Sequence, residues 1–269
     1  MLSPRLGDSG SVDHDPFKHR NRVSSMAHED CLTLIVWTPS EHPLDKPTGA
    51  LKPVMFSIHG GAFSIGSIYS SVFNASVLST YGTVVVSVGY RLGRLGFLYG
   101  GDDSAPGNVG LYDQQLALKW VRDNIHAFGG DRDQMTVFGE SAGSWSISAH
   151  ILSPLSRGLF KRAIMQSGAL MFNKHRSLVT TAEALSKAKQ FARQLNCSDP
   201  HKWLDCLRDI KDPNLFSESY DTSNTYGASN AVFGTQFLPL LPQKAFETHA
   251  YSSGEYQGNS FEMNILTLL

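Results

Sequence analysis

Apolar positions along the chain fall into runs of two kinds. Short, nearly continuous runs are bounded by glycine, proline or polar clusters: "CLTLIVW" (31–37, ended by Pro39), "PVMFSIHGGAF" (53–63), "TVVVSVGY" (83–90), "QMTVFG" (134–139) and "RAIMQSG" (162–168). With β-branched residues and few charges, they read as strands buried in the interior of a parallel sheet. Elsewhere the apolar spacing is three or four. Leu111, Gln114, Leu118, Val121 and Ile125 mark one face of a helix that glycine can end at "FGG" (128–130). "SAGSWSISAHIL" (141–152) predicts a second helix, and Ala182, Leu185, Ala188 and Ala192 a third. Strands alternating with helices predict an α/β fold, with a mostly parallel central sheet and helices on both faces. Residues 1–28 are polar and aperiodic and read as a loose tail ahead of an ordered region over 29–269.

Composition narrows the function classes. With 41% hydrophobic and 17% charged residues in 269, the chain can fill a substantial core and is not of disordered type. A net charge of −1 gives no electrostatic reason to expect nucleic acid or an anionic membrane surface as partner. No apolar run approaches the roughly 20 residues that span a bilayer. The first residues, "MLSPRLGDSGSVDHDPFKHR", lack the apolar stretch of a secretion signal. His14, His19 and His28 lie outside any helical pattern, so neither metal nor cofactor is expected. Cys31, Cys197 and Cys206 cannot all pair within one chain. A bond between Cys197 and Cys206 would close a small ring, and two buried thiols read equally well from the spacing. The sequons "NAS" at Asn74 and "NCS" at Asn196 fit an oxidising compartment.

The chemistry concentrates in Gly139-Glu140-Ser141-Ala142-Gly143. A predicted strand stops there, turns and enters a predicted helix, with Ser141 at the apex. Glycine two residues to either side removes the Cβ atoms that would collide as strand and helix close on each other. The Ala142 N–H, at the helix start, points to where a carbonyl oxygen would gain negative charge. "HGGAF" (59–63) matches the glycine-rich loop that supplies further amides to such an oxyanion hole, from Gly60, Gly61 and Ala62.

With these residues in view, the chain resembles the type-B carboxylesterase and cholinesterase family of α/β-hydrolases. The likeness covers about residues 29–262. It runs through "EDCLTLIVWTP", "YRLGRLGFL", "GNVGLYDQQLALKWVRDNIHAFGGD", "FGESAGSWS" and "SPLSRGLFKRAIMQSG", with Ile35 where a small polar residue is usual. The resemblance implies a serine carboxylic-ester hydrolase without cofactor, acting on a small neutral or cationic ester through an acyl-enzyme. Ser141 would be the nucleophile, with Gly61, Ala62 and Ala142 as oxyanion donors. It also implies pairing of Cys197 with Cys206, an upstream partner for Cys31 that this chain does not contain, and an extracellular location. The tryptophan that cages choline in the family would lie upstream of "EDCL", where this chain has none, which favours a general carboxylesterase. The alternative is a non-catalytic binding or adhesion protein or a truncated decoy; adhesion relatives of the same fold typically lose the elbow serine, whereas Ser141 and its loop are intact here.

The rest of the triad is harder to find. The family's acid is a glutamate in Asn-x-x-Glu-Gly. "GNSFEMN" (258–264) offers Glu262, with Met263 in place of the glycine, and an exposed terminal glutamate is the competing reading. The order in these enzymes is serine, acid, histidine, yet "MNILTLL" after Glu262 holds no histidine. His59 belongs to the glycine loop. His150 lies more than two helical turns from Ser141, and His126, His175, His201 and His249 have no evident acid partner. Loss of a triad histidine costs about 10⁶ in kcat. The expectation is an incomplete or truncated esterase, close to inert by itself, with a sheet edge left uncovered.

Overall fold

A computed structural model describes residues 31–39, 50–170, 179–216, 230–251 and 262–265; the tail predicted for residues 1–28 lies outside them. A six-stranded sheet runs in the order β1-β3-β2-β4-β5-β8. Its strands are β1 (Leu34–Trp37), β2 (Lys52–Ile58), β3 (Val84–Val88), β4 (Gly130–Glu140), β5 (Arg162–Gln166) and β8 (Glu262–Ile265). Only β1 is antiparallel to its neighbour, pairing Leu34 with Val88; every other pairing is parallel. A separate pair joins β6 (Val179–Thr180) to β7 (Val232–Phe233).

All five residues of β3 are buried. Because successive side chains point to opposite faces, both faces of the sheet are covered there. The main core joins Val54, Phe56 and Ile58 of β2 to Val84, Val86 and Val88 of β3 and Met135 and Val137 of β4. Phe56 is fully buried, and truncating such a side chain to alanine costs about 3–5 kcal/mol.

The helices are α1 (Ser76–Ser79), α2 (Gly93–Phe97), α3 (Val109–Asn124), α4 (Ala142–Leu152), α5 (Thr181–Gln194), α6 (Trp203–Asp209) and α7 (Pro242–Glu247). The predicted periodicity falls on α3, whose Leu111, Gln114, Leu118 and Val121 are buried. A 3-10 turn over Ile125–Phe128 extends it and ends at Gly129, φ 77°. β4 is longer than its apolar run predicts, because Lys52 and Pro53 pair with Gly130 and Asp131 before a bulge resets the register at Val54 and Met135. α5 begins with a capping box: Thr180 Oγ1 accepts from the Glu183 N–H and Glu183 Oε2 from the Thr180 N–H. Such a cap stabilises a helix by about 1 kcal/mol. Cys197 and Cys206 form a disulfide, Cα atoms 5.6 Å apart, that ties the end of α5 to α6 around Phe191, Trp203 and Leu207.

Candidate active site

β4 ends at Glu140 and α4 begins at Ala142, leaving Ser141 alone at the turn with φ 54° and ψ −119°. That conformation is rare for a residue bearing a Cβ and marks a functional turn. Its N–H donates to Gln166 O at the end of β5, 2.9 Å, and its carbonyl accepts from Trp145 N, 3.0 Å. The two flanking glycines are sterically required. A Cβ on Gly139 would stand 2.6 Å from Ile58 O and 2.8 Å from Gly143 C; one on Gly143 would stand 2.1 Å from Ile58 O. Strand, turn and helix therefore close over the end of β2.

β2 delivers the second component. His59 to Phe63 follow Ile58 directly, and a Cβ built on Gly60 would be 3.4 Å from Ser141 Cβ and 2.7 Å from Glu140 O. The glycine loop thus lies against the elbow. Gly61, Ala62 and Phe63 all hold positive φ, at 114°, 58° and 60°. Gly61 O accepts from the N–H groups of Ser64 and Ile65, and Phe63 O from Gly93 N. His59 braces the loop from beneath: Nδ1 is 2.8 Å from Gly60 O, its ring stacks on Tyr90 at 4.4 Å, and Tyr90 Oη donates to His59 O at 2.7 Å. Burial lowers the His59 pKa, which keeps the imidazole neutral. Ala142, first residue of α4, has an N–H with no acceptor inside the helix. Gly60 is therefore a backbone neighbour of Ser141, with Gly61 and Ala62 next in the loop and Ala142 next in the helix.

Glu140, adjacent to Ser141 in the Gly-Glu-Ser-Ala-Gly turn, also lies against the glycine loop. Its Oε2 would be 3.1 Å from a Cβ on Gly60, and desolvation raises its pKa.

No described histidine reaches Ser141. His150 is fully buried in α4, with Nδ1 2.7 Å from Ser156 Oγ and Nε2 3.0 Å from Gln114 Oε1. His249 Nδ1 lies 3.4 Å from Tyr251 Oη, His201 is exposed in a turn, and His126 belongs to the 3-10 turn after α3. His14, His19, His28, His42 and His175 lie outside the described residues. The strand register also separates Glu262 from the elbow. Glu262 pairs with Arg162 at the amino end of β5, whereas Glu140 pairs with Gln166 at its carboxyl end. Four residue steps of strand, about 13 Å at 3.3 Å each, lie between their levels. In open α/β sheets sites form outside the carboxyl ends of strands, and this register does not bring Glu262 there.

Strained serine, glycine loop and sheet order converge with a match over nearly the whole chain: the profile of the carboxylesterase family covers residues 8–256. The chain belongs to the carboxylesterase family. The chain is 39% identical over 245 residues to "Cholinesterase 1" of Branchiostoma lanceolatum, covering 88% of the chain and 65% of the relative. It is 45% identical to an acetylcholinesterase of Danio rerio over 225 residues, 82% of the chain and 33% of the relative. To an acetylcholinesterase of Gallus gallus it is 46% identical over 220 residues, 79% of the chain and 27% of the relative. It thus spans less than two thirds of the length of each. Like its relatives' family it is an α/β-hydrolase, here with a partial sheet. No helix among the described residues is long and apolar enough to cross a membrane.

Proposed function

We propose that this chain contributes the nucleophile and oxyanion hole of a serine ester hydrolase that works through an acyl-enzyme. Ser141 Oγ attacks the ester carbonyl, and the N–H groups of Gly61, Ala62 and Ala142 hold the oxyanion, with Gly60 keeping the loop against the elbow. Each such donor contributes roughly 3–4 kcal/mol of transition-state stabilisation. The single observation that carries the reading is the positive φ of Ser141 with the Gly60 backbone beside it. None of the described histidines hydrogen-bonds Ser141, and a site lacking its histidine would turn over ester about 10⁶-fold more slowly than a complete one.

The substrate class we propose is a neutral or cationic carboxylic ester, a reading supported by the likeness to relatives named acetylcholinesterase. We further assign the protein to an oxidising compartment outside the cytosol, a reading supported by the Cys197–Cys206 disulfide. A fluorophosphonate probe applied to the protein from its own tissue is expected to derivatise Ser141, identified by peptide mapping and abolished by Ser141→Ala. A folded protein with the disulfide intact that takes no label and hydrolyses neither phenyl nor choline esters refutes the proposal.

A further inference from the structure

The segment between the glycine loop and β3 carries an apolar surface that the ester chemistry does not use. Tyr69, Val72, Val77 and Tyr81 are 67%, 82%, 69% and 79% exposed, within thirteen residues of chain. Soluble proteins seldom leave large apolar side chains so concentrated in open solvent. Asn74 sits in the middle of this stretch, exposed, and opens the sequon Asn74-Ala75-Ser76. Its Oδ1 accepts from the Ser76 N–H at 2.9 Å, a turn that engages the amide oxygen within the sequon and leaves the Nδ2 end of an exposed side chain to solvent. The preceding Phe73 packs its ring 5.8 Å from His59, so the segment is anchored against the glycine loop.

The second sequon is built differently. Asn196 is exposed, yet its backbone is held at φ 61° with its N–H on Arg193 O, 3.0 Å, and the next residue's N–H on Ala192 O, 2.8 Å. The middle residue of that sequon is Cys197, 3% exposed and bonded to Cys206. Closing the disulfide fixes the sequon in a helix-end turn inside a packed cluster.

We propose that Asn74 carries an N-linked oligosaccharide that covers the apolar stretch 69–81, whereas Asn196 is modified only where the Cys197–Cys206 bond is open. The inference rests on the assignment to an oxidising, extracytosolic compartment. In the transfer, Asn74 Nδ2 attacks the anomeric carbon of a polyprenyl-diphosphate-linked oligosaccharide supplied by the host membrane. A carbon–nitrogen bond forms, the carbon–oxygen bond to the diphosphate breaks, polyprenyl diphosphate leaves, and one amide proton passes to a base of the transferase. The glycan hydrates the surface around Tyr69, Val72, Val77 and Tyr81 without touching the elbow.

The test is translation of the chain, fused to an export leader, into microsomes that protect it from added protease. The protected wild type is expected to show one mobility step removable by peptide-N-glycosidase, lost in Asn74→Gln. Cys206→Ser, which leaves both sequons intact, is expected to gain a second step that Asn196→Gln removes. Asn74→Gln is expected to aggregate more than Asn196→Gln in sedimentation. Protected wild type with no removable step, or a step that persists in Asn74→Gln with the disulfide closed, overturns the assignment. Equal solubility of the two variants overturns the covering role. A glycan on the microsomal product but not on the protein from its own tissue overturns the compartment reading instead.

Discussion

His150 couples the stability of this fold to pH in a way that can be worked out from its surroundings. Gln114 presents Nε2 to Ser146 Oγ at 3.0 Å, so its Oε1 faces His150 Nε2 as acceptor and that nitrogen carries the proton. Nδ1 then accepts from Ser156, and the Phe237 ring closes the site at 5.6 Å. The described hydrogen-bond partners of the ring are neutral, and burial pushes its pKa down to about 3, against 6.5 when unfolded. The folded-state pKa is lowered, so the neutral ring's contribution is complete above pH 6.5 and is lost as pH falls toward 3. At pH 5 the unfolded chain holds nearly one more proton than the folded one, which costs about 2 kcal/mol of stability. Urea unfolding of wild type and His150→Gln at pH 7.5 and pH 5.0 measures this directly. Glutamine retains a donor and an acceptor but does not titrate, and every other group cancels in the difference. Wild type should lose about 2 kcal/mol more than the variant on acidification. Equal losses in the two proteins would show that His150 is not held neutral and would refute the reasoning.

Two other perturbations test the elbow and the disulfide. Gly143→Ala places a methyl group 2.1 Å from the backbone oxygen of Ile58, where neither strand nor helix can yield; it should destabilise the fold by about 3 kcal/mol, and an unchanged urea midpoint would contradict the packing described. Cys206→Ser opens a ring with a sequence separation of 9; the chain-entropy model puts the loss at roughly 2.5–3 kcal/mol, read as a lower midpoint under oxidising conditions that reduction of the variant does not lower further.

The fold was most legible where burial imposes one repetitive demand on the sequence. β3 is buried throughout, so its valines leave little choice of conformation, and α3 presents a regular face from Leu111 to Ile125. The elbow was legible for a steric reason, since only glycine fits at 139 and 143. Short elements escaped because their residues answer to distant partners. Asn108, at φ 58°, places Oδ1 on Val232 N and Nδ2 on Val232 O, both at 2.8 Å, and so fixes β7 from 124 residues away. No local pattern announces that bridge. Glu262 shows the same limit: its pairing with Arg162 at the amino end of β5 is set by strand register, which no local pattern announces.

Ser141 also bears on how this protein fails. A side chain at φ 54° and ψ −119° is held there by the strand below, the helix above and the glycine loop alongside, at a cost of order 1–3 kcal/mol. Warming loosens loops before it melts paired strands. The Ser141 turn should therefore loosen while the sheet beneath it is still whole.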